Sequence, residues 1–190
     1  MINKAQYEIV LALWSAFAFA LMGCVVKQLS SKVPSAEITF ARAIVGAAIV
    51  LPWGLSHFSK LLCTDVRFLF LRAIAGSGSV PCYFWTIGKT SVANARAIAD
   101  IARLLVVILG WNLLGEKPTK LRVFYVLIGA VGTTLLGIPG SSTCPLDGWL
   151  IGICGALFAS FAYFSLRRIG SVFPTTLTVW VFLSVLALVS

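Results

Sequence analysis

Three charged residues, Arg96, Asp100 and Arg103, sit inside the otherwise apolar run Ser91–Leu114. Spaced i, i+4 and i+7, they share one face of a helix. A charge at the centre of a bilayer costs about 2.5–3.5 kcal/mol even on the lenient insertion scale, so such residues face a protein interior or a wet cavity that uses them. Arg42 and Arg72 lie in neighbouring apolar runs, and Glu37 precedes Arg42 by five residues. The planar fork of arginine suits bidentate recognition of carboxylate or phosphate. The chemistry these residues could do together is the binding of a small anion in a cationic cavity, with Asp100 holding the arginines in position. The competing arrangement is a closed network, in which Arg96 and Arg103 neutralise Asp100 and Arg42 pairs with Glu37. A five-residue spacing is poor geometry for one helix face, and four arginines against two acids leave two positive charges over. Uncompensated charge is expensive in a membrane, which favours the ligand-binding arrangement. Proton carriage by Asp100 is a further role that the residues leave open.

Helices must bring these side chains to one depth. At 1.5 Å per residue, Arg42 lies roughly 12 Å beyond Pro34 and Asp100 roughly 13 Å beyond Ser91, with Arg103 a little deeper. Arg96 lies shallower, and Arg72 lies roughly 9 Å from the opposite edge. The stretch Gly76-Ser77-Gly78-Ser79-Val80-Pro81 follows Arg72. Gly76, Gly78 and Pro81 would loosen a helix near mid-membrane and free backbone groups for a cavity. Close packing of helices through small residues explains the same stretch equally well. Tyr83, with Phe84 and Trp85, could line a pocket; for Trp85, anchoring at the membrane interface is as good a reading. The glycines at 129 and 132, and Gly148-x-x-x-Gly152, read as packing seams.

The chain that carries them reads as membrane throughout. Of its 190 residues, 59% are apolar and 11% charged, and the mean hydropathy is +0.99. Soluble domains run near 25% charged. Ile9–Val26 is an uncharged run of spanning length. Further uncharged runs are Phe124–Ile138, Trp149–Leu166 and Thr175–Ser190, and Ala36–Trp53, Phe68–Gly88 and Ser91–Leu114 span with charges inside. The composition therefore predicts an all-α polytopic membrane protein with seven transmembrane helices. The runs are continuous rather than alternating, which excludes barrel strands.

The net charge of +9 does not indicate nucleic acid, because no basic cluster or aromatic-basic groove pattern occurs outside the apolar runs. The basic residues sort by loop instead. With the N-terminus in the cytoplasm, Lys4, Lys60, Arg67, Lys117, Lys120, Arg122, Arg167 and Arg168 fall inside, and Lys27, Lys32 and Lys89 outside. That bias predicts a cytoplasmic N-terminus. The first run is too long for a signal-peptide core and reads as a retained helix. Five cysteines without paired spacing, Cys24, Cys63, Cys82, Cys144 and Cys154, give neither a disulfide frame nor a zinc site. His57 is the one histidine, so no metal or other cofactor is implied.

An internal repeat begins near Pro139–Thr143. Displaced by 140 positions, Val33-Pro34-Ser35 meets Phe173-Pro174-Thr175, and Lys27-Gln28 meets Arg167-Arg168. Five helices separate the copies, an odd number, so the second is inverted. Inverted repeats are the architecture of many secondary transporters, with substrate sites at the repeat interface. The expected units are 1–138 (a complete five-helix repeat), 139–147 (a linker) and 148–190 (the first two helices of a second repeat). The chain stops at Ser190 on an apolar helix, which reads as a longer protein cut short.

Thr90-Ser91-Val92-Ala93-Asn94-Ala95, a long apolar helix, then Leu114-Gly115-Glu116-Lys117 resembles the EamA-type domain of the drug/metabolite transporter superfamily. Arg42 after the proline-led start of helix two, Arg72 before a Gly/Ser-rich stretch, and Asp147-Gly148-Trp149 at the start of helix six extend the resemblance over nearly the whole chain. It implies a ten-helix protein of two five-helix domains that exports or imports small metabolites. Two departures stand out: helices eight to ten are absent, and Arg103 occupies the place where the family usually has a mid-helix proline.

The expected function is secondary transport of a small polar or anionic metabolite by alternating access, in the bacterial inner membrane. Its expected partners are that metabolite, the lipid bilayer, and either a second copy of the chain or C-terminal helices beyond Ser190. A partner-dependent or inactive fragment is the alternative. A membrane-embedded enzyme fits less well: it would need a nucleophile with its base, a metal cluster or two carboxylates in register, and Asp100 and Glu37 differ in depth. The candidate binding residues are Arg42, Arg72, Tyr83, Arg96, Asp100 and Arg103.

Overall fold

The computed structural model describes residues 4–56, 66–114, 119–136, 145–169 and 173–189. Among them are seven α-helices and no strand: α1 Lys4–Leu29, α2 Ser35–Ser56, α3 Arg67–Lys89, α4 Val92–Leu114, α5 Lys120–Leu136, α6 Leu146–Ile169 and α7 Thr175–Val189. Gln6–Leu29, Ser35–Ser56 and Leu146–Ile169 are each long and apolar enough to cross a bilayer. The protein is an all-α polytopic membrane protein. The helices follow the seven apolar runs closely, because in hydrocarbon a chain satisfies its backbone polar groups only by bonding within each segment. His57, Cys63, Cys144 and the Gly115–Lys117 motif lie outside the described residues. So does most of the expected 139–147 linker, whose last residues 146–147 already belong to α6.

The most extensive packing is of α3 on α6; α4 also packs on α6, and α7 packs on both α2 and α3. Small residues make these approaches close. A Cβ at Gly152 of α6 would stand 2.8 Å from Ile98 Cγ2 of α4 and 3.2 Å from Thr86 Oγ1 of α3. One at Gly155 would stand 2.8 Å from Cys82 Cβ, and one at Gly148 3.2 Å from Thr90 Cγ2. The glycine seam expected on α6 therefore fits into α3 and α4. In α5, Gly129 touches Leu104 of α4, whereas Gly132 meets nothing within 4 Å, so the described residues form no seam there. Several buried hydroxyls are satisfied within their own helices: Thr39 donates to Ser35 O, Thr86 to Cys82 O, Ser160 to Leu157 O and Ser165 to Phe161 O, whereas the buried Ser77 hydroxyl of α3 has no partner.

The tight turn after α3 is held from outside. Its Thr90 N–H caps Thr86 O at 2.8 Å. The ammonium of Lys27, on α1, donates to Ile87 O at 2.9 Å, Gly88 O at 3.1 Å and Thr90 O at 2.7 Å. Carbonyls at a helix C-terminus lack intrahelical donors and carry partial negative charge, so a cation suits them. This clamp ties α1 to the start of α4. Elsewhere α1 is mostly exposed, with Leu13, Trp14 and Phe17 all facing outward. Exposed apolar side chains are what a lipid-facing helix presents.

Candidate functional site

Five of the six binding candidates meet at one place. Arg42, Arg72, Tyr83, Arg96 and Asp100 line a cavity of about 200 Å³ between α1, α2, α3, α4, α6 and α7. The cavity follows the middle of α3 from Arg72 to Thr86. Its far wall is α6, which contributes Gly152, Gly155, Ala156, Ala159 and Ala162, residues too short to fill the space, together with the larger Tyr163. Phe19 and Met22 of α1 and Phe182 of α7 close it.

The arginines fall into two classes. Arg96 and Arg103 are committed to Asp100: Arg96 Nε lies 3.3 Å from Asp100 Oδ1, and Arg103 Nη2 donates to the same oxygen at 2.6 Å. Tyr83 lines the cavity beside Arg96. The two ion pairs are the network expected along the face of α4. Arg42 and Arg72 take no part in it. Among the described residues neither has an acidic partner, and Glu37 is exposed and forms no ion pair with Arg42. Each guanidinium instead lies over an aromatic ring, Arg42 Cζ 5.6 Å from the Phe84 centroid and Arg72 Cζ 4.9 Å from that of Phe182. Phe84 is fully buried. The Nε of Arg72 is buried and has no hydrogen-bond partner. A buried donor left unpaired is costly unless something occupies the space beside it.

Three expected site residues lie elsewhere. Arg103 is exposed and does not line the cavity; it touches the site only through Asp100. Gly78 packs against the Phe158 ring, whose Cδ1 lies 3.2 Å from the position a Cβ would take. Pro81 lies inside an unbroken α3, so no helix break opens there. Van der Waals packing by α6 supports the helix on both sides of the proline. Gly76 does line the cavity, for a different reason from the one expected. The space a Cβ would fill there is taken by Arg72 Nη1 and by the Phe182 ring, whose Cε2 is 2.7 Å away. Its lack of a side chain lets Arg72 lie back along its own helix.

Sequence reasoning missed Phe182, Phe19, Met22 and the small wall of α6. Of these, only Phe182 stands 140 positions from an expected site residue, Arg42. Met22 and Ala162, Phe19 and Ala159, and Arg42 and Phe182 stand 140 positions apart, and all six line the cavity. No cluster of three His, Cys, Asp or Glu side chains suited to a metal occurs among the described residues.

Residues 6–138 match the model of the EamA-like transporter family. The pseudopaline exporter CntI of Pseudomonas aeruginosa is 26% identical over 190 residues, covering all of this chain and 67% of that protein. An uncharacterized transporter of Helicobacter pylori is 27% identical over 173 residues, 88% of this chain and 57% of its own length. Solute carrier family 35 member G1 of Mus musculus is 26% identical over 180 residues, 87% of this chain and 49% of its own. The chain thus spans about half to two thirds of the length of these relatives. No solved structure matches it. A helical membrane fold, a polar cavity enclosed between spans and a family match over most of its length lead to one assignment: the chain belongs to the EamA-like transporter family, whose members are membrane transporters and not enzymes.

Proposed function

We propose that the chain forms the binding core of a secondary transporter for a small anionic metabolite, which Arg42 and Arg72 engage in the central cavity. The observation that carries this reading is the pair of cavity-lining guanidiniums without acidic partners, one with a buried and unbonded Nε. Arg96, Asp100 and Tyr83 form the wall opposite, where Arg96 and Asp100 hold their positions through one another. The name of the Pseudomonas relative, a pseudopaline exporter, supports a small-molecule cargo.

Transport by alternating access follows from an inverted repeat, with 1–138 as the first unit and 148–190 as part of the second. Contacts between α2 and α7 support it. Ala43 and Leu183, 140 positions apart, meet in one buried cluster. Gly46 faces Leu183, with a Cβ there 3.0 Å from Leu183 Cδ1, and the position 140 beyond Gly46 is Leu186, which belongs to the same cluster. Reciprocal contact of this kind is what a two-fold relation produces. The cavity lies beside that contact, where one repeat rocks against the other. The proposed setting is the bacterial inner membrane with a cytoplasmic N-terminus.

The test is metabolite transport by vesicles, followed by mass spectrometry. Losing a charge-assisted hydrogen bond costs about 1.5–3 kcal/mol, so Arg42→Ala, Arg72→Ala and Asp100→Ala should each lower transport by roughly tenfold or more. Arg103→Ala should cost less. Full transport by all of the first three variants would refute the site.

A further inference from the structure

Resting on that anion-binding reading, we infer that the ligand is a dianion with its two acid groups at opposite ends of a short carbon chain, one held by Arg42 and the other by Arg72. Each guanidinium is backed by a ring, Phe84 behind Arg42 and Phe182 behind Arg72. A stacked guanidinium keeps its N–H edge free, and that edge is the part that grips a carboxylate with two parallel bonds. The cavity therefore holds two separate carboxylate positions.

Their spacing follows from α3. The tip of Arg72 lies against Gly76, and Arg42 lies over Phe84. Those two α3 residues differ by eight positions, roughly 12 Å along the axis at 1.5 Å per residue. One carboxylate or one phosphate cannot reach both arginines across such a gap. A carboxylate carbon paired with a guanidinium lies about 4 Å from its central carbon, which leaves at least about 4 Å between the two acid carbons. A chain of about four to six carbons covers that separation. The wall between the two positions suits the middle of such a molecule, because Val80 and the alanines at 156 and 159 offer it no charge. Asp100 does not compete for either arginine, since Arg96 and Arg103 hold it.

The experiment measures the binding of matched acids to the purified 190-residue chain in nanodiscs by heat denaturation and by tryptophan fluorescence. Succinate, glutarate and adipate are compared with acetate, butyrate and inorganic phosphate. Each dicarboxylate should bind at least tenfold more tightly than acetate or butyrate, the succinate–butyrate pair being matched in length. Arg42→Gln and Arg72→Gln should each bring glutarate down to the level that butyrate shows with the unsubstituted chain. The comparison on the unsubstituted chain needs no variant, and Arg72→Lys, which keeps the charge but not the fork, serves if the glutamine variants fail to fold. Equal binding of mono- and dicarboxylates, or phosphate binding as tightly as glutarate, would overturn the dianion and leave the anion site standing. No binding of any of the six acids would overturn both.

Discussion

Arg72 keeps its guanidinium against Phe182 because nothing projects from residue 76. Gly76→Ala introduces a methyl where Arg72 Nη1 and the Phe182 ring now lie. Overpacking of this kind costs about 1–3 kcal/mol. The arginine tip is the easiest group to displace, so the expected outcome is weakened glutarate or phosphate binding with helix content unchanged, checked by titration alongside circular dichroism. At this scale the sequence was informative about charge and silent about company. Arg96, Asp100 and Arg103 were legible as a network because helical spacing within one segment fixes which side chains meet. That Arg103 would end outside the cavity depended on the rotation of α4 against α6, which no spacing within α4 records. The aromatic backing of Arg42 and Arg72 comes from α3 and α7, and only tertiary packing brings those helices to them.

Helices were legible to within about five residues at either end, since length and apolarity decide a spanning segment. The behaviour of α3 was not. Its glycines and Pro81 suggested a break, yet the helix runs unbroken through them and uses its small positions for contacts. Two glycines on other helices make the distinction measurable. Gly152→Val should destabilise the protein by about 1–3 kcal/mol, because its side chain meets Ile98 and Thr86. Gly132→Ala meets open space and should be neutral or should stabilise by about 0.5–1 kcal/mol through helix propensity. Thermal unfolding in one detergent compares the two. The Lys27 clamp belongs to this scale as well. Lys27→Met keeps the stem and removes three bonds to carbonyls at the end of α3. Hydrogen bonds from a charged donor contribute about 1.5–3 kcal/mol, so the variant should melt earlier, and protease should cut first near the α3–α4 turn.

Over the whole molecule, six of the seven described helices line a charged cavity, and one of them, α1, has most of its surface uncovered. Chemical labelling tests the direction proposed from the loop charges. In a cysteine-free background, a membrane-impermeant maleimide should label Lys32→Cys on intact cells and Arg168→Cys only after the cells are opened; the reverse pattern would invert the assigned topology. The repeat offset was visible in sequence only as two weak matches, at Pro34 and Pro174 and at the basic pairs near the ends of α1 and α6. In the fold, positions 140 apart line one chamber and share one buried cluster, as the proposed repeat would have them do.

The wall supplied by α6 has a consequence for how substrate range can change. Hydrogens and methyls at 152, 155, 156, 159 and 162, with the ring of Tyr163 beside them, set the outline of the chamber on that side. Exchanging any one of them for a larger residue recuts the outline while the arginines across the gap stay as they are. Charge preference and molecular fit are thus encoded on different helices, so descendants of this chain can drift from one cargo to another by editing a single segment.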